Sequence, residues 1–212
     1  MMNAAIGRLE PVLGAAQRVD FLAPLALRLY LAPVFWVAGM NKLAGFDDVV
    51  AWFGNAEWGL GLPLPWLMAA LATAAEAGGA VLLLLGLGTR LVAVPLMATM
   101  IVAAATVHWD NGWQAVHDSQ SPFASAYVLG LEAGDADAAG DRLARAREIL
   151  REHGDYDWLT EQGSFVISNS GIEWAATYFV MLLALFFLGG GRWLSADHWI
   201  ARRWRSSTAP AR

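Results

Sequence analysis

The chain has 212 residues, of which 57% are hydrophobic and only 16% are charged, with 11 tryptophans and a formal net charge of −5. A soluble domain of this size exposes too much surface to carry so little charge, whereas a multi-span membrane protein needs little charge and places tryptophans at its interfaces. The absence of cysteine excludes disulfides, thiolate metal sites and cysteine-based redox relays.

Four segments are apolar and near the roughly 20 residues that a bilayer core requires. They cover residues 21–43, 64–86, 89–109 and 171–189. The sequence therefore predicts an all-α fold, a single integral membrane domain over 1–212 built as a four-transmembrane-helix bundle. Outside the spans lie a linker at 44–63, a hydrophilic insert at 110–170 and a basic tail at 190–212. The short turn GLGTR joins spans two and three into an antiparallel hairpin.

Short amphipathic helices are predicted outside the spans. In the linker, apolar residues from Phe46 to Phe53 recur at helical spacing. In the insert, one helix is predicted at 121–134 and a second from a capping Asp141 to a terminating Gly154. We expect the two insert helices to cover the outer end of the bundle.

Basic residues are distributed unevenly along the chain. The side holding both termini and the GLGTR turn would carry eight arginines against three carboxylates, whereas the insert carries a large excess of Asp and Glu. The positive-inside rule then places both termini in the cytoplasm and the linker and insert outside the membrane. We therefore expect a multi-pass protein of a bacterial inner membrane, with the lipid bilayer as a partner.

Two charges interrupt the apolar spans. Arg28 lies 15 residues from the predicted outer end of span one at Leu43, or about 22 Å. Glu76 lies 12 residues from the outer end of span two at Leu64, or about 18 Å. Because an intramembrane ion needs a partner, we predict an Arg28–Glu76 ion pair. Two interpretations stay open: the pair only fixes helix register, or it sets the protonation state of a ligand bound above it.

A second polar cluster is predicted at the outer ends of the spans. The candidate ligand-pocket residues are Trp36, Asn41, Lys42, His108, Trp109, Asp110, Glu173 and Trp174. Of these, Lys42, His108 and Glu173 are the catalytic candidates, since each can carry a proton. Each also has a simpler role: Lys42 can snorkel to the headgroups, Glu173 can close a capping box with Ser170, and His108 can form an interfacial hydrogen bond.

Other chemistries find no support in the sequence. His108, Asp110, His117 and Asp118 have metal-binding side chains, but their spacing matches no template, so no metal site is predicted. The chain contains no phosphate loop, nucleophile elbow or nucleic-acid-binding motif. The basic tail is typical of a segment that contacts anionic lipid.

Several segments together resemble a known family. They are LRLYLAPVFWVAGMNKL, WFGNAEWGLGLPLP, EAGGAVLLLLGLGTR, REHGDYDWLT and GIEWAATYFVMLLALFFLGGGRW. Their order is similar to that in the DoxX family of small four-helix membrane proteins, and the long insert resembles the HvfX branch. In that resemblance Arg28 and Glu76 match recurring intramembrane charges, and Lys42 and His108 match outer polar positions.

The resemblance implies a modest set of functions. DoxX relatives are similar to a subunit of thiosulfate:quinone oxidoreductase and to membrane partners of redox-stress enzymes, and the HvfX branch is associated with metal-linked modified peptides. We weigh three hypotheses. The first is a quinone-linked redox accessory subunit, in which the quinone headgroup binds at the outer polar cluster. The second is a non-enzymatic scaffold that docks an extracytoplasmic protein through the acidic insert, and the third is a small transporter. The transporter is disfavoured because four short spans provide too few helices for an alternating-access mechanism, unless the chain forms a homo-oligomer.

Overall fold

The computed structural model describes Gly14 and residues 17–118 and 136–207. These residues form eight α-helices: α1 Leu22–Ala44, α2 Phe46–Gly54, α3 Pro65–Leu85, α4 Thr89–Ala103, α5 Ala136–His153, α6 Tyr156–Leu159, α7 Glu173–Leu188 and α8 Ala196–Ser207. A π-helical turn at Ala104–His108 and a 3-10 turn at Trp109–Asn111 continue α4. The described part of the chain contains no strand beyond an isolated antiparallel bridge between Val116 and Ser168, so the all-α prediction is confirmed for it.

In the described part of the chain, three helices are long and apolar enough to cross a membrane: α1, α3, and α4 with its continuation to Asn111. The predicted fourth span corresponds to α7, an apolar helix of 16 residues. At 1.5 Å per residue α7 is about 24 Å long, shorter than the roughly 30 Å hydrocarbon core. A fourth transmembrane helix is therefore not confirmed and stays a prediction.

The chain divides into two compact units, residues 1–99 with 178–212 and residues 100–177. In the first unit, α1 and α3 pack along their lengths and approach closely at Gly39. A Cβ atom at Gly39 would lie 2.8 Å from the Cα of Ala77, so only glycine fits there. The close approach of small residues is the usual way in which membrane helices pack.

The other helices of this unit pack on the same two. Leu96 of α4 lies against Gly79 of α3, where an added Cβ would be 3.1 Å from the leucine side chain. Along α1, the ring of Tyr178 of α7 contacts the rings of Tyr30 and Phe35, each at a centroid distance of 6.4 Å. Helix α1 is thus the element that joins α3 to α7.

Helix α2 confirms the amphipathic helix predicted in the linker. The ring of Phe46 meets Trp66 edge-on at a centroid distance of 6.2 Å, and Phe53 is buried. At the other end of α2, Gly54 lies so close to Pro65 that an added Cβ would be 2.9 Å from the proline Cγ. Helix α2 therefore packs against the first turn of α3.

The turn between α3 and α4 is built on glycines and capped from a distance. Gly86 and Gly88 have φ of 64° and 60°, values that favour residues without a Cβ. The carboxylate of Asp197 accepts hydrogen bonds from the backbone N–H groups of Gly88 (2.6 Å) and Thr89 (3.0 Å). Because these are N–H groups at the start of α4, Asp197 acts as a cap supplied by α8.

In the second unit, two loop segments are held together by backbone hydrogen bonds. The N–H groups of Ser170, Gly171 and Ile172 donate to the carbonyls of Ala115, Gln114 and Gly112, at 3.1, 2.9 and 3.0 Å. The helix predicted at 121–134 lies outside the described residues. Helix α5 ends just before Gly154, as predicted, but it begins at Ala136, so Asp141 is inside the helix and does not cap it.

Candidate functional site

The most unusual polar feature within the spans is an ion pair between α1 and α3. The ammonium Nζ of Lys42 lies 2.6 Å from the Oε2 of Glu76. Glu76 is buried, with 5% of its side chain exposed, whereas 25% of the Lys42 side chain remains exposed. Pairing a carboxylate with an ammonium offsets the cost of burying each charge away from water.

The predicted Arg28–Glu76 pair is wrong, because among the described residues Glu76 pairs with Lys42. The prediction assumed that α1 ends at the level where α3 begins. In the structure the contact of Gly39 with Ala77 places the end of α1 beside Thr73, about nine residues or about 13 Å further along α3 than assumed. Helix α2 and the following loop bring the chain back to the start of α3.

Arg28 is instead held at the opposite end of the unit. Its guanidinium donates hydrogen bonds to the carbonyls of Gly190, Leu84 (3.3 Å) and Leu194 (2.8 Å). The guanidinium also lies against Gly86, at the place where a Cβ of that residue would be. Because Gly86 follows Glu76 by ten residues, the guanidinium of Arg28 is about 15 Å from Glu76 along the axis of α3. With 1% of its surface exposed, Arg28 is a buried structural cation that ties three carbonyls together.

Thr73 adds an unpartnered polar group to the Lys42–Glu76 site. It is three residues before Glu76, so both side chains lie on the same face of α3. Its Oγ1 is buried and has no hydrogen-bond partner among the protein groups that the structure describes. A buried hydroxyl without a partner is costly, and such groups often mark places where a ligand or water binds.

Two other predicted pocket residues lie on α1. Asn41 is exposed, and Trp36 is 46% exposed. Trp36 lines an apolar groove of about 400 Å³ between α1 and α3, together with Pro33 and Val81. The structure thus associates Trp36 with an apolar groove formed by the same two helices that carry the ion pair.

The outer polar residues after α4 belong to the second unit. The Nδ1 of His108 lies 2.6 Å from the carbonyl oxygen of Ser170, to which Asn111 also donates. Trp109 and Asp110 are exposed. Of its possible roles, His108 therefore takes the interfacial hydrogen bond, which joins the end of the α4 continuation to the segment before α7.

Glu173 lies at the start of α7 and bonds the neighbouring loop. Its Oε2 accepts a hydrogen bond from the Ala115 N–H (2.9 Å), while the Ser170 N–H is bonded to the Ala115 carbonyl. The predicted capping box between Ser170 and Glu173 is therefore replaced by bonds to this loop. Glu173 and the half-exposed Trp174 line a cavity of about 310 Å³ with Gln114.

The metal-binding side chains after α4 do not come together as a site. Within residues 17–118 and 136–207, no group of three or more His, Asp or Glu is placed to hold a metal ion. His108 and Glu173 are each engaged with the backbone of nearby loops.

Sequence reasoning missed two residues of these polar sites. Thr73 could have been found, because it precedes Glu76 by three residues and is a hydroxyl in an otherwise apolar helix. Asp197 gave no such signal, since its partners are the backbone N–H groups of Gly88 and Thr89, more than 100 positions away. Only the folded chain shows that contact.

Comparison with known proteins places the Lys42–Glu76 site within a recognised family segment. The DoxX family model matches residues 23–109, which include Lys42, Thr73 and Glu76. The chain is 35% identical over 86 residues to "Putative oxidoreductase CatD" of Bacillus subtilis strain 168, covering 41% of this chain and 60% of CatD. It is 33% identical over 105 residues to "Inner membrane protein YphA" of Escherichia coli K12, covering 49% of this chain and 70% of YphA.

These matches and the long apolar helices together define the class of protein to which the chain belongs. The chain belongs to the DoxX family and is a membrane protein. It spans less than two thirds of the length of CatD, and no solved structure matches it significantly.

Proposed function

We propose that the protein is a quinone-linked redox accessory subunit, whose headgroup site is formed by Lys42, Thr73 and Glu76. The observation that carries the proposal is a part-buried ion pair on a membrane-length helix pair, with the unpartnered buried hydroxyl of Thr73 on the same face of α3 as Glu76. The name "Putative oxidoreductase CatD" supports the reaction class. This site replaces the outer cluster around His108 and Glu173, whose polar groups are engaged with loop backbone.

The chemistry of these side chains suits a quinone. Quinone carbonyls only accept hydrogen bonds, and both the Lys42 ammonium and the Thr73 hydroxyl are donors. A bound quinone would supply two-electron, two-proton redox chemistry to the site. In the ion pair the proton is held on the Nζ of Lys42, next to the Glu76 carboxylate, and the electrons would come from a partner oxidoreductase, since the chain has no cysteine with which to carry them.

The apolar groove fits the rest of such a molecule. It is lined by Ala32, Pro33 and Trp36 of α1 and by residues of α3, with a volume of about 400 Å³. A lipid-soluble quinone carries an apolar chain, and a groove on the side of two membrane helices gives that chain an apolar surface. The proposed headgroup site and the apolar groove therefore both lie at the α1–α3 interface.

The test is quinone binding by the whole protein in lipid nanodiscs, measured by quenching of tryptophan fluorescence with decylubiquinone. Thr73→Val removes a donor but keeps the shape of the side chain. Because one hydrogen bond contributes about 1 kcal/mol, we expect binding to weaken about fivefold. Thr89→Val is the matched control, since Thr89 is also a buried threonine whose hydroxyl has no partner among the residues that the structure describes.

Equal weakening by the two variants, or no saturable binding by the wild-type protein, would contradict the proposal. A Lys42→Met variant provides a second measure, because it removes the charged donor. Its binding should fall further than that of Thr73→Val, since hydrogen bonds to charged groups are stronger.

A membrane scaffold is the second candidate function, favoured by apolar side chains exposed on the second unit. Ile149, Trp158 and Val166 are 44%, 69% and 60% exposed. Ile149 lies on α5, Trp158 on α6 and Val166 in the loop before α7, and exposed apolar patches are typical of protein contacts. A photo-crosslinking residue at Trp158, compared with one at the exposed Glu152, would capture a specific partner in cells only if this function is right.

A further inference from the structure

Helix α8 is held against the turn that joins α3 to α4. The backbone N–H of Asp197 donates to the carbonyl of Gly86 (3.0 Å), to which the Ser195 hydroxyl also donates (2.9 Å). The Asp197 carboxylate accepts hydrogen bonds from the N–H groups of Gly88 (2.6 Å) and Thr89 (3.0 Å). Because this turn ends one membrane-length helix and begins the next, the first turn of α8 lies at the level of the membrane interface.

One face of α8 continues along the helix from this contact. The residues three, four and seven positions after Asp197 lie on the same face of a helix as Asp197 itself. They are Ile200, Ala201 and Trp204, and all three are exposed. The exposed fraction is 53% for Ile200 and 72% for Trp204. The face therefore contacts the α3–α4 turn at Asp197 and presents mainly apolar surface in the following turns.

The opposite flank of α8 carries a charge. Arg202 is rotated about 160° around the helix axis from Ile200, since a helix has 3.6 residues per turn. Its guanidinium lies over the ring of Trp199, with the Cζ 5.6 Å from the ring centroid. Helix α8 is thus amphipathic, and a short amphipathic helix next to a membrane span is typical of helices that lie in the interface plane.

The surface beside the same turn indicates what covers the apolar face of α8. Leu85, the last residue of α3, is 54% exposed, and Leu91 in the first turn of α4 is 80% exposed. On membrane-length helices such exposed leucines face lipid. The apolar face of α8 begins at the turn between these two leucines, so it continues the surface that lipid covers.

We infer that α8 lies in the plane of the membrane interface, with Ile200 and Trp204 inserted among the lipids and Arg202 directed to water. The partner is the bilayer, and the apolar face provides the contact, so insertion does not require anionic lipid. Through its hydrogen bonds to the α3–α4 turn, the inserted helix fixes the depth of that turn in the membrane. The inference is independent of quinone binding, because it concerns the end of the unit opposite the Lys42–Glu76 site.

The test uses spin labels on single cysteines, since the natural chain has none. The whole protein is labelled at Ile200→Cys, Trp204→Cys or Arg202→Cys and reconstituted in vesicles of phosphatidylcholine alone. Collisions of the label with oxygen, which dissolves in lipid, are compared with collisions with a water-soluble nickel chelate. We expect the ratio of oxygen to nickel collisions to be several times higher for Ile200→Cys and Trp204→Cys than for Arg202→Cys, the matched control on the same helix.

Leu85→Cys provides the lipid reference, because Leu85 is exposed at the end of a membrane-length helix. Three outcomes would overturn the inference. Equal ratios for Ile200→Cys and Arg202→Cys would show that the two flanks of α8 have the same surroundings. A label at Ile200→Cys that is shielded from both reagents would show that protein, a second copy or a partner, covers the face. A high ratio that arises only when phosphatidylglycerol is added would show that charge, and not the apolar face, brings α8 to the membrane.

Discussion

Two cations of the first unit, the buried Arg28 and the part-buried Lys42, are stabilised in different ways. Lys42 is paired with a carboxylate at 2.6 Å, whereas Arg28 donates to three backbone carbonyls from positions that a compact ammonium could not reach at once. Asp197 is the acidic group that attracts Arg28 electrostatically. The side chains thus suit their roles: the fork of Arg28 binds several carbonyls, and the flexible Lys42 reaches one buried carboxylate.

The Lys42–Glu76 pair leads to a prediction about stability. Glu76→Gln leaves the Lys42 ammonium without its counter-charge, so we expect the free energy of unfolding in detergent to fall by about 1–3 kcal/mol, less than for a fully buried pair. The double variant Lys42→Met, Glu76→Leu should recover most of this loss, since it removes both charges. The measurement is the unfolding midpoint in a denaturant series.

Glu57→Gln is the control for this experiment, because Glu57 is an exposed carboxylate in the linker. Its effect should stay within about 0.5 kcal/mol. A double variant less stable than Glu76→Gln would show that the pair is not the source of the loss.

At the scale of elements, the α1–α3 contact fixes the site. Gly39 lies against the backbone of Ala77, and this single close approach sets which residues of the two helices are level. Lys42 then lies beside the turn that carries Thr73, and Arg28 lies beside the α3–α4 turn. The site is therefore a consequence of helix register.

This register can be tested with two glycines. Gly39→Ala would place a Cβ 2.8 Å from the Ala77 Cα, so the helices must separate, and we expect a loss of about 1–3 kcal/mol in unfolding free energy. Gly78→Ala is the matched control, since an added Cβ there meets nothing within 4 Å. The control should be neutral or more stable by about 0.5–1 kcal/mol.

The helix register also links the Gly39–Ala77 contact to the Lys42–Glu76 site. If Gly39→Ala shifts α1 along α3, quinone binding should weaken together with stability, while Gly78→Ala should weaken neither. An unchanged stability for Gly39→Ala would mean that the helices do not approach closely at this point.

For the whole molecule, the open question is whether α7 crosses the membrane. Its 16 residues are short for a span, yet their composition is as apolar as that of α3. If α7 crosses, the insert and α8 lie on opposite sides of the bilayer. If it does not, they lie on the same side.

Single-cysteine labelling decides this, because the natural chain has no cysteine. We expect a membrane-impermeant maleimide to label Glu57→Cys and Glu152→Cys on cells whose outer membrane is permeabilised. Arg202→Cys should react only after the inner membrane is opened, as cytoplasmic termini require. Labelling of Glu152→Cys and Arg202→Cys from the same side would show that α7 does not span.

The sequence by itself determined the class of protein, the positions of α1, α2 and α3, and the presence of a buried carboxylate. Hydropathy, length and helical spacing are local properties, so α1, α2 and α3 begin and end within one or two residues of where these patterns indicate, and the all-α character follows from the same patterns. Glu76 stood out for the same reason, since a charge in an apolar run is visible without a fold.

Only the tertiary structure decided which cation meets Glu76. Depth along a span was estimated from the ends of each helix, but the packing of two helices is set by where their small residues meet, here Gly39 and Ala77. A change of helix register by a few turns brings a different residue of α1 level with Glu76. The ion-pair partner of Glu76 is therefore Lys42 and not Arg28. The contacts of Asp197 and Glu173 with distant loops were hidden for the same reason, because they join residues that lie close together only after the helices have packed.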